Sequence, residues 1–242
     1  MALNRLKNLS SKGMTFNLDK EGDHLRHLRV ILKWDGSSYE GKQFDADLTV
    51  AMLEYLGERP DGSRRLNIYG EDEANLVFYG SENRYFVDTN PRSLIKMVTG
   101  PNGKEVPEDT LEQNKNRPIN ICSAHDEIIH TGDNRNGEGE GEVAEIFLDR
   151  MGEDVAEIAI VGTIHKGKQR RQNWGDLNAT LVLQNIDTGE NLAEISLGRT
   201  LSNDTAVQFA SLYRDESGDW QFTRMDSGSD VGLDFFIEHW VS

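Results

Sequence analysis

The chain has 242 residues, 36% of them hydrophobic, which is enough to bury a core and excludes wholesale disorder. Its 42 acidic residues outnumber 26 Lys and Arg residues, and the resulting net charge of −16 argues against nucleic-acid binding because it repels phosphate backbones. The single cysteine, Cys122, excludes an intramolecular disulfide scaffold and favours a reducing compartment.

Membrane and export signals are missing from the sequence pattern. No apolar run approaches the roughly 20 residues that a membrane-spanning helix needs, and residues 1–9 lack the apolar core of a signal peptide. We therefore expect a soluble, cytoplasmic protein.

Short apolar runs separated by turn residues predict a mostly β fold. In chain order, the predicted strands are 28–34, 76–79, 128–130, 145–148, 157–164, 180–185, 193–197, 207–213 and 220–225. The last two flank a turn-forming loop at 215–219 and predict a hairpin. Helix signals are weaker, and they predict short helices at 47–55 and 232–240.

One segment, residues 80–126, interrupts this pattern of strands. It is polar and contains four of the five prolines of the chain. We interpret residues 1–242 as one domain in which 80–126 is a long insertion, either a decoration or a functional or mobile loop.

The run from Gly132 to Glu145 is acidic and rich in glycine, with glutamates alternating with glycines after an Asp-Asn pair. Glycine allows positive φ, so the backbone can fold tightly and turn its carbonyls inward. Calcium prefers six to eight oxygen ligands from carboxylates, amides and carbonyls, and this run offers all three. The sequence therefore predicts a calcium site here, although a solvated, flexible acidic loop remains an alternative.

Two other interpretations of this run are less favoured. A glycine-rich loop can hold phosphate, but the interleaved glutamates would repel an anion. The spacing of its oxygen-bearing residues is similar to that of an EF-hand loop, but strands flank it where an EF-hand needs helices.

A second acidic element lies at Asp45 and Asp47. Side chains at i and i+2 of an extended chain point the same way, so these two carboxylates are placed to share an ion. Calcium sites often collect ligands from more than one segment, and this pair is a candidate complement to the acidic loop.

Several blocks of the sequence, in the same order along the chain, resemble the TerD family of tellurium-resistance and stress proteins. The most specific block is 130–141, which resembles the family signature His-x-Gly-Asp-Asn-x-Thr-Gly-Glu-Gly-x-Gly, with Asn136 in place of the usual Thr. Other similar blocks are 16–21, Leu-Lys-Trp-Asp at 32–35, Phe-Asp-Ala-Asp-Leu-Thr at 44–49, 171–175 and the hairpin near 205–222.

The resemblance implies a two-sheet β-sandwich that binds calcium, usually two ions, between the two acidic segments. Carried over by position, the candidate ligands are Asp45, Asp47, Asp133, Asn134, Glu138, Glu140 and Glu142. After Gly141 the family usually has Asp-Asp-Glu, whereas this chain has Glu142-Val143-Ala144-Glu145, so Glu145 is included as a compensating ligand. We therefore expect one or two Ca²⁺ ions.

The basic run at 165–171 is the one positive patch of the sequence. We interpret it as a solvated connecting loop, with docking of an acidic partner as its possible use.

Catalysis has little support in the sequence. The six histidines are scattered, and neither a His-x-x-x-His nor a Cys-x-x-Cys pair is present. The favoured hypothesis is a non-catalytic calcium-binding protein of the stress-response or tellurite-resistance type. Such a protein would act through protein partners, for example other Ter-type proteins or a membrane-associated complex, with its oligomeric state left open. The alternatives are a structural or interaction protein with a permanent or absent calcium ion and, with less support, a metal-dependent hydrolase.

Overall fold

A computed structural model describes residues 7–9, 11–18, 25–35, 38–39, 41–135, 137–197, 201 and 203–241. Part of the 16–21 block that resembles the family, and Asn136 of the acidic loop, lie outside the described residues.

Two large, mainly antiparallel sheets make up the fold. Sheet A has eight strands, in spatial order β1 (Lys7–Asn8), β17 (Asn191–Ser196), β16 (Ala179–Asn185), β3 (His27–Trp34), β14 (Glu142–Phe147), β13 (Ile128–His130), β12 (Ile119–Cys122) and β9 (Arg84–Phe86). Sheet B has β2 (Thr15–Asn17), β19 (Trp220–Ser229), β18 (Ala206–Arg214), β15 (Val155–Ile164), β6 (Ala46–Glu58) and β7 (Arg64–Ile68), with β8 (Leu76–Val77) also paired to β6. Two small hairpins are β4 (Ser38–Tyr39) with β5 (Lys42–Gln43) and β10 (Met97–Thr99) with β11 (Glu105–Pro107).

The helices are short. They are α1 (Gly167–Arg170), α2 (Leu233–Val241) and the 3₁₀ turns Tyr69–Glu71, Glu73–Asn75, Glu108–Thr110 and Leu148–Arg150. None of the helices in the described part of the chain is long and apolar enough to cross a membrane. The predicted C-terminal helix is confirmed by α2.

The predicted helix at 47–55 is wrong, because these residues lie inside strand β6. Alternate side chains of β6, including Leu48 and Val50, enter the core between the sheets, while Ala51 and Leu53 pack on the other face of sheet B. A strand that is buried on both faces reads as one continuous apolar run, which periodicity alone does not distinguish from a helix.

The main core lies between the sheets, and α2 covers a second, smaller cluster. That outer cluster is formed on sheet B by residues such as Leu53 and Val161, with Phe236 and Trp240 of α2 packed over them. The mostly β, two-sheet sandwich that the sequence predicts is therefore confirmed.

The segment 80–126 carries regular structure of its own. Strands β9 and β12 at its two ends pair with each other, and β12 pairs with β13, so they extend sheet A at one edge. The hairpin β10–β11 lies between them. The segment is thus joined to the sandwich by ordinary strand pairing, at the edge next to the acidic loop.

Candidate metal centre

Three carboxylates converge at one end of the sandwich. Asp45 directly precedes β6, Asp47 is its second residue, and Asp133 comes from the loop between β13 and β14. One oxygen of each lies within 4.8 Å of the others. Asp47 is 4% exposed, and the side chains of Asp45 and Asp133 are 19% and 29% exposed. The two acidic elements singled out in the sequence therefore meet in space.

The electrostatics of this cluster disfavour charge on its most buried member. Burial raises the pKa of Asp47 to about 9, helped by the negative charges of Glu142, Asp45 and Asp133. Burial and the nearby Asp133 likewise raise the pKa of Asp45. Burial, together with the same carboxylates, raises the pKa of the Tyr79 hydroxyl beside them. A bound cation would reverse the sign of these effects.

The free oxygens of the cluster fit a hard cation. Asp45 Oδ1 is buried and has no hydrogen-bond partner, and within the described chain no hydrogen bond reaches the Asp47 carboxylate. Buried carboxylate oxygens are normally hydrogen-bonded, so each unpaired one needs an explanation. Hard divalent cations take such oxygens as ligands. The residues present therefore fit calcium.

Asn134, another predicted ligand, ties the acidic loop together. Its Nδ2 donates hydrogen bonds to the carbonyls of Glu138 at 2.8 Å and Gly141 at 2.9 Å, and its Oδ1 accepts one from the Gly137 N–H at 3.1 Å. The side-chain oxygen of Asn134 is thus already in use, and its contacts hold the loop closed.

Glu142 joins the loop to sheet B. Its side chain is fully buried; Oε1 accepts a hydrogen bond from the Asn134 N–H at 3.1 Å, and Oε2 accepts one from the Leu48 N–H. The Nε2 of buried His130 lies 3.4 Å from the same Oε2. The Nδ1 of His130 accepts a hydrogen bond from the Gly132 N–H, whereas its Nε2 has no hydrogen-bond partner in the described part of the chain. Glu142 therefore fixes the position of the loop beside Asp47 and adds charge there.

The remaining predicted ligands lie farther from the cluster. Glu138 is exposed and lines an open cleft of about 620 Å³ together with Asp133, whereas Glu140 is exposed and is not among the residues that line this cleft. Glu145 forms an ion pair with Arg29 at 2.7 Å. Side chains alternate along β14, so Glu145, three residues after inward-facing Glu142, points to the opposite face. The structure does not bring Glu145 into the cluster.

Two glycines let the loop lie against β3. Gly141 has φ of 83°, and a Cβ there would be 2.2 Å from the Leu32 carbonyl oxygen. Gly137 has φ of 71°, and a Cβ there would lie 2.8 Å from the indole ring of Trp34. At these positions only glycine permits both the backbone conformation and the close approach.

Two arginines that the sequence did not mark as site residues face the cluster. Arg135 Nε lies 2.8 Å from Asp133 Oδ2, and Arg170 Nη1 lies 4.0 Å from Asp45 Oδ2. Arg170 also donates to the Gln43 carbonyl at 2.7 Å, and the His165 N–H donates to the Asp45 carbonyl at 2.8 Å. The basic run predicted as a solvated loop therefore also holds the segment that carries Asp45. The pairing of β15 with β6, which sets Thr163 beside Asp47, brings the basic run next to Asp45. Spacing along the chain does not reveal this pairing.

The segment 80–126 also borders the cluster. A cleft of about 720 Å³ has residues of this segment, such as Arg84 and Arg117, on one side and Asp133 and Arg135 of the acidic loop on the other. The predicted insertion thus forms one wall next to the candidate site.

Comparison with known proteins supplies the family. A model of the TerD domain matches residues 119–240, which is half of the chain and includes the whole acidic loop. The chain belongs to the TerD family. The tellurium resistance protein TerD of an Alcaligenes species is 29% identical to this TerD-family chain over 226 residues, which cover 92% of this chain and 91% of that protein. General stress protein 16U of Bacillus subtilis (strain 168) is 27% identical over 227 residues, with 92% and 91% covered.

A solved structure supports the fold. A homologue of telluride resistance protein (TerD) from Streptomyces coelicolor A3(2) aligns with a TM-score of 0.52 and 19% identity, over 88% of this chain and 95% of that one. At this identity the likeness shows the shared fold alone. The alignments with the TerD-family relatives cover far more of the chain than the matched domain does, whereas the family model begins after Asp45 and Asp47. The relatives bear the names of resistance and stress proteins rather than of enzymes.

Proposed function

We propose that this TerD-family protein binds one calcium ion through Asp45, Asp47 and Asp133 and acts without catalysis, through protein partners, in a stress or tellurium-resistance response. The observation that supports the proposal is the buried carboxylate of Asp47, which lies among Asp45 and Asp133 and whose pKa is raised to about 9, first by burial and then by the neighbouring negative charges. A divalent cation removes that cost.

The chemistry of the donors favours calcium over transition metals. The converging groups are all oxygens, which suit hard ions such as calcium, whereas zinc and copper sites use His and Cys. His130 of β13 is not part of the converging group, and its Nδ1 accepts a hydrogen bond from the Gly132 N–H. Calcium needs more oxygens than three aspartates provide, and Glu138, backbone carbonyls near Arg135 and Gly137, and water are the candidates for the rest.

Calcium binding would also change the contacts of the acidic loop. The Asp133 carboxylate would exchange Arg135 for the ion, and the loop would be held at both Asn134 and Glu142, which already connect it to β6. We therefore propose that calcium orders the acidic loop and that partners recognise the ordered surface. The names of the relatives support a role in resistance or stress.

Calorimetric titration with calcium tests the proposal. Asp45→Asn and Asp133→Asn should each weaken binding by at least about tenfold, since each removes one charged ligand. Asp154→Asn is the matched control, because Asp154 is exposed and remote from the cluster. Affinities that are unchanged in both site variants would contradict the proposal. Binding that survives dialysis against chelator would instead indicate a permanently held structural ion.

A further inference from the structure

A groove of about 830 Å³ lies on the outer side of sheet B, and none of its lining residues belongs to the group of three aspartates. It is formed by the end of β7 and the 3₁₀ turns that follow, by the turn after β8, and by the end of α2. It shares no lining residue with the cleft that contains Asp133.

The floor of this groove is apolar. Ile68, Leu76 and Ile237 pack with one side against the cluster that α2 covers, and they also line the groove. Phe78 and half-exposed Val241 complete the floor. The nine-residue helix α2 is thus too short to cover the whole outer cluster, and its uncovered edge is this groove.

The rim of the groove is acidic. Four carboxylates line it, from Glu71, Asp72, Glu73 and Glu82, and no Lys or Arg is among the lining residues. Asp72 accepts a hydrogen bond from the Ala74 N–H, but in the described part of the chain Glu71, Glu73 and Glu82 make no ion pair.

We propose that this groove docks a basic, amphipathic peptide segment of a partner protein. Apolar side chains of that segment would cover Ile68, Leu76 and Ile237, while its Lys and Arg side chains would pair with the unpaired glutamates. The occupant is inferred from charge complementarity. The apolar floor favours apolar side chains, and a lining whose only charged side chains are carboxylates disfavours acidic partners, anionic lipid and nucleic acid.

Fluorescence anisotropy with a labelled peptide, in which Leu and Lys alternate at helical spacing, tests the groove. The variant Glu71→Gln/Glu73→Gln/Glu82→Gln should bind it at least about tenfold more weakly than the wild type, which is about 1.4 kcal/mol. Glu58→Gln/Glu153→Gln/Glu216→Gln is the charge-matched control, made at exposed positions outside the groove, and should bind like the wild type. Equal weakening in both variants would overturn the proposal, because binding would then follow net charge only.

The apolar half of the proposal has its own test. A scrambled peptide of the same composition should bind at least tenfold more weakly, and Val241→Ser should weaken the amphipathic peptide while leaving the melting temperature unchanged, since Val241 is half exposed. Full competition by spermine, tight binding of the scrambled peptide, or preferential binding of anionic vesicles would each contradict a docking site for an amphipathic peptide. Self-association that competes with the peptide would also overturn it, in favour of a second copy as the occupant.

Running the same titrations in calcium and in EGTA separates this site from the proposed calcium site. The groove should bind the peptide in both buffers. If titration shows no calcium binding, we still expect the groove to bind the peptide. If only the groove variant loses peptide binding, the calcium proposal is unaffected.

Discussion

Two acidic regions of this protein, built from the same residue types, differ in their surroundings. At the proposed calcium site, one oxygen from each of three aspartates lies within 4.8 Å of the others, and Asp47 is 4% exposed. At the groove, four carboxylates are spread around an apolar floor and three of them are exposed glutamates without ion pairs. The two regions differ in how deeply their carboxylates are buried and in how close these carboxylates lie to one another, rather than in the number of acidic residues.

That difference has a chemical consequence. Crowded, desolvated carboxylates hold a proton or a metal ion, because charge without a counter-ion is costly there. Exposed carboxylates are screened by water and cost little, so they act over a wider surface and select for basic partners. We therefore propose that acidic residues in this chain serve two kinds of recognition, of a metal ion and of a basic peptide.

The first expected effect concerns calcium and stability. With calcium at 100 times its dissociation constant, the wild type should gain about 2.7 kcal/mol in the free energy of unfolding. Asp47→Ala should lose this gain, whereas Glu73→Ala at the groove should keep it. Urea unfolding in calcium and in EGTA measures both, and a gain of equal size in Asp47→Ala would place the ion elsewhere.

A second expectation concerns the loop backbone. Gly141→Ala should lower the free energy of unfolding by about 2 kcal/mol, since it forces a side chain into the positive-φ region and against the Leu32 carbonyl. Gly218→Ala also has positive φ but meets open space, so it should cost less. Thermal unfolding of the two variants gives the comparison; equal losses would mean that the contact with β3 contributes nothing.

The pH dependence separates the two acidic regions further. The folded-state pKa of Asp47 is raised from 3.8 to about 9, so the folded metal-free protein holds a proton that the unfolded chain releases. Its stability should therefore fall as pH rises between about 4 and 9, by up to about 1.4 kcal/mol per pH unit for this one proton. Asp47→Asn should flatten the slope, and Glu73→Gln should leave it unchanged. For the same reason calcium should bind more tightly as pH rises, with a proton released on binding. Urea unfolding across this pH range in EGTA is the measurement, and an unchanged slope in Asp47→Asn would contradict it.

The smallest effect is expected for Arg135. This exposed arginine pairs with Asp133 and would have to release it to an ion, so Arg135→Gln should raise calcium affinity by about two- to threefold. Arg65→Gln, also exposed, is the control and should change nothing. Titration of both variants at low salt would show it, and weaker binding in Arg135→Gln would mean that Arg135 helps rather than competes.

Short apolar runs between turn residues predicted most strands, the resemblance to the TerD family implied the sandwich, and the glycine-rich signature and the Asp45/Asp47 pair predicted both acidic elements, because these are local features. It failed where the outcome depends on neighbours distant in the chain. Strand β6 was predicted partly as a helix because α2, nearly 200 residues away, buries its second face. The ion pair of Glu145 with Arg29, and the approach of Arg170 to Asp45, depend on strand pairing that spacing along the chain does not reveal.

A crystal structure grown in ample calcium tests most directly whether the buried aspartates hold an ion. We expect anomalous density for a single calcium ion, with oxygens of Asp45, Asp47 and Asp133 at about 2.3–2.6 Å from it. Clear density for the three side chains turned away from one another, with water or nothing between them, would contradict the proposed site.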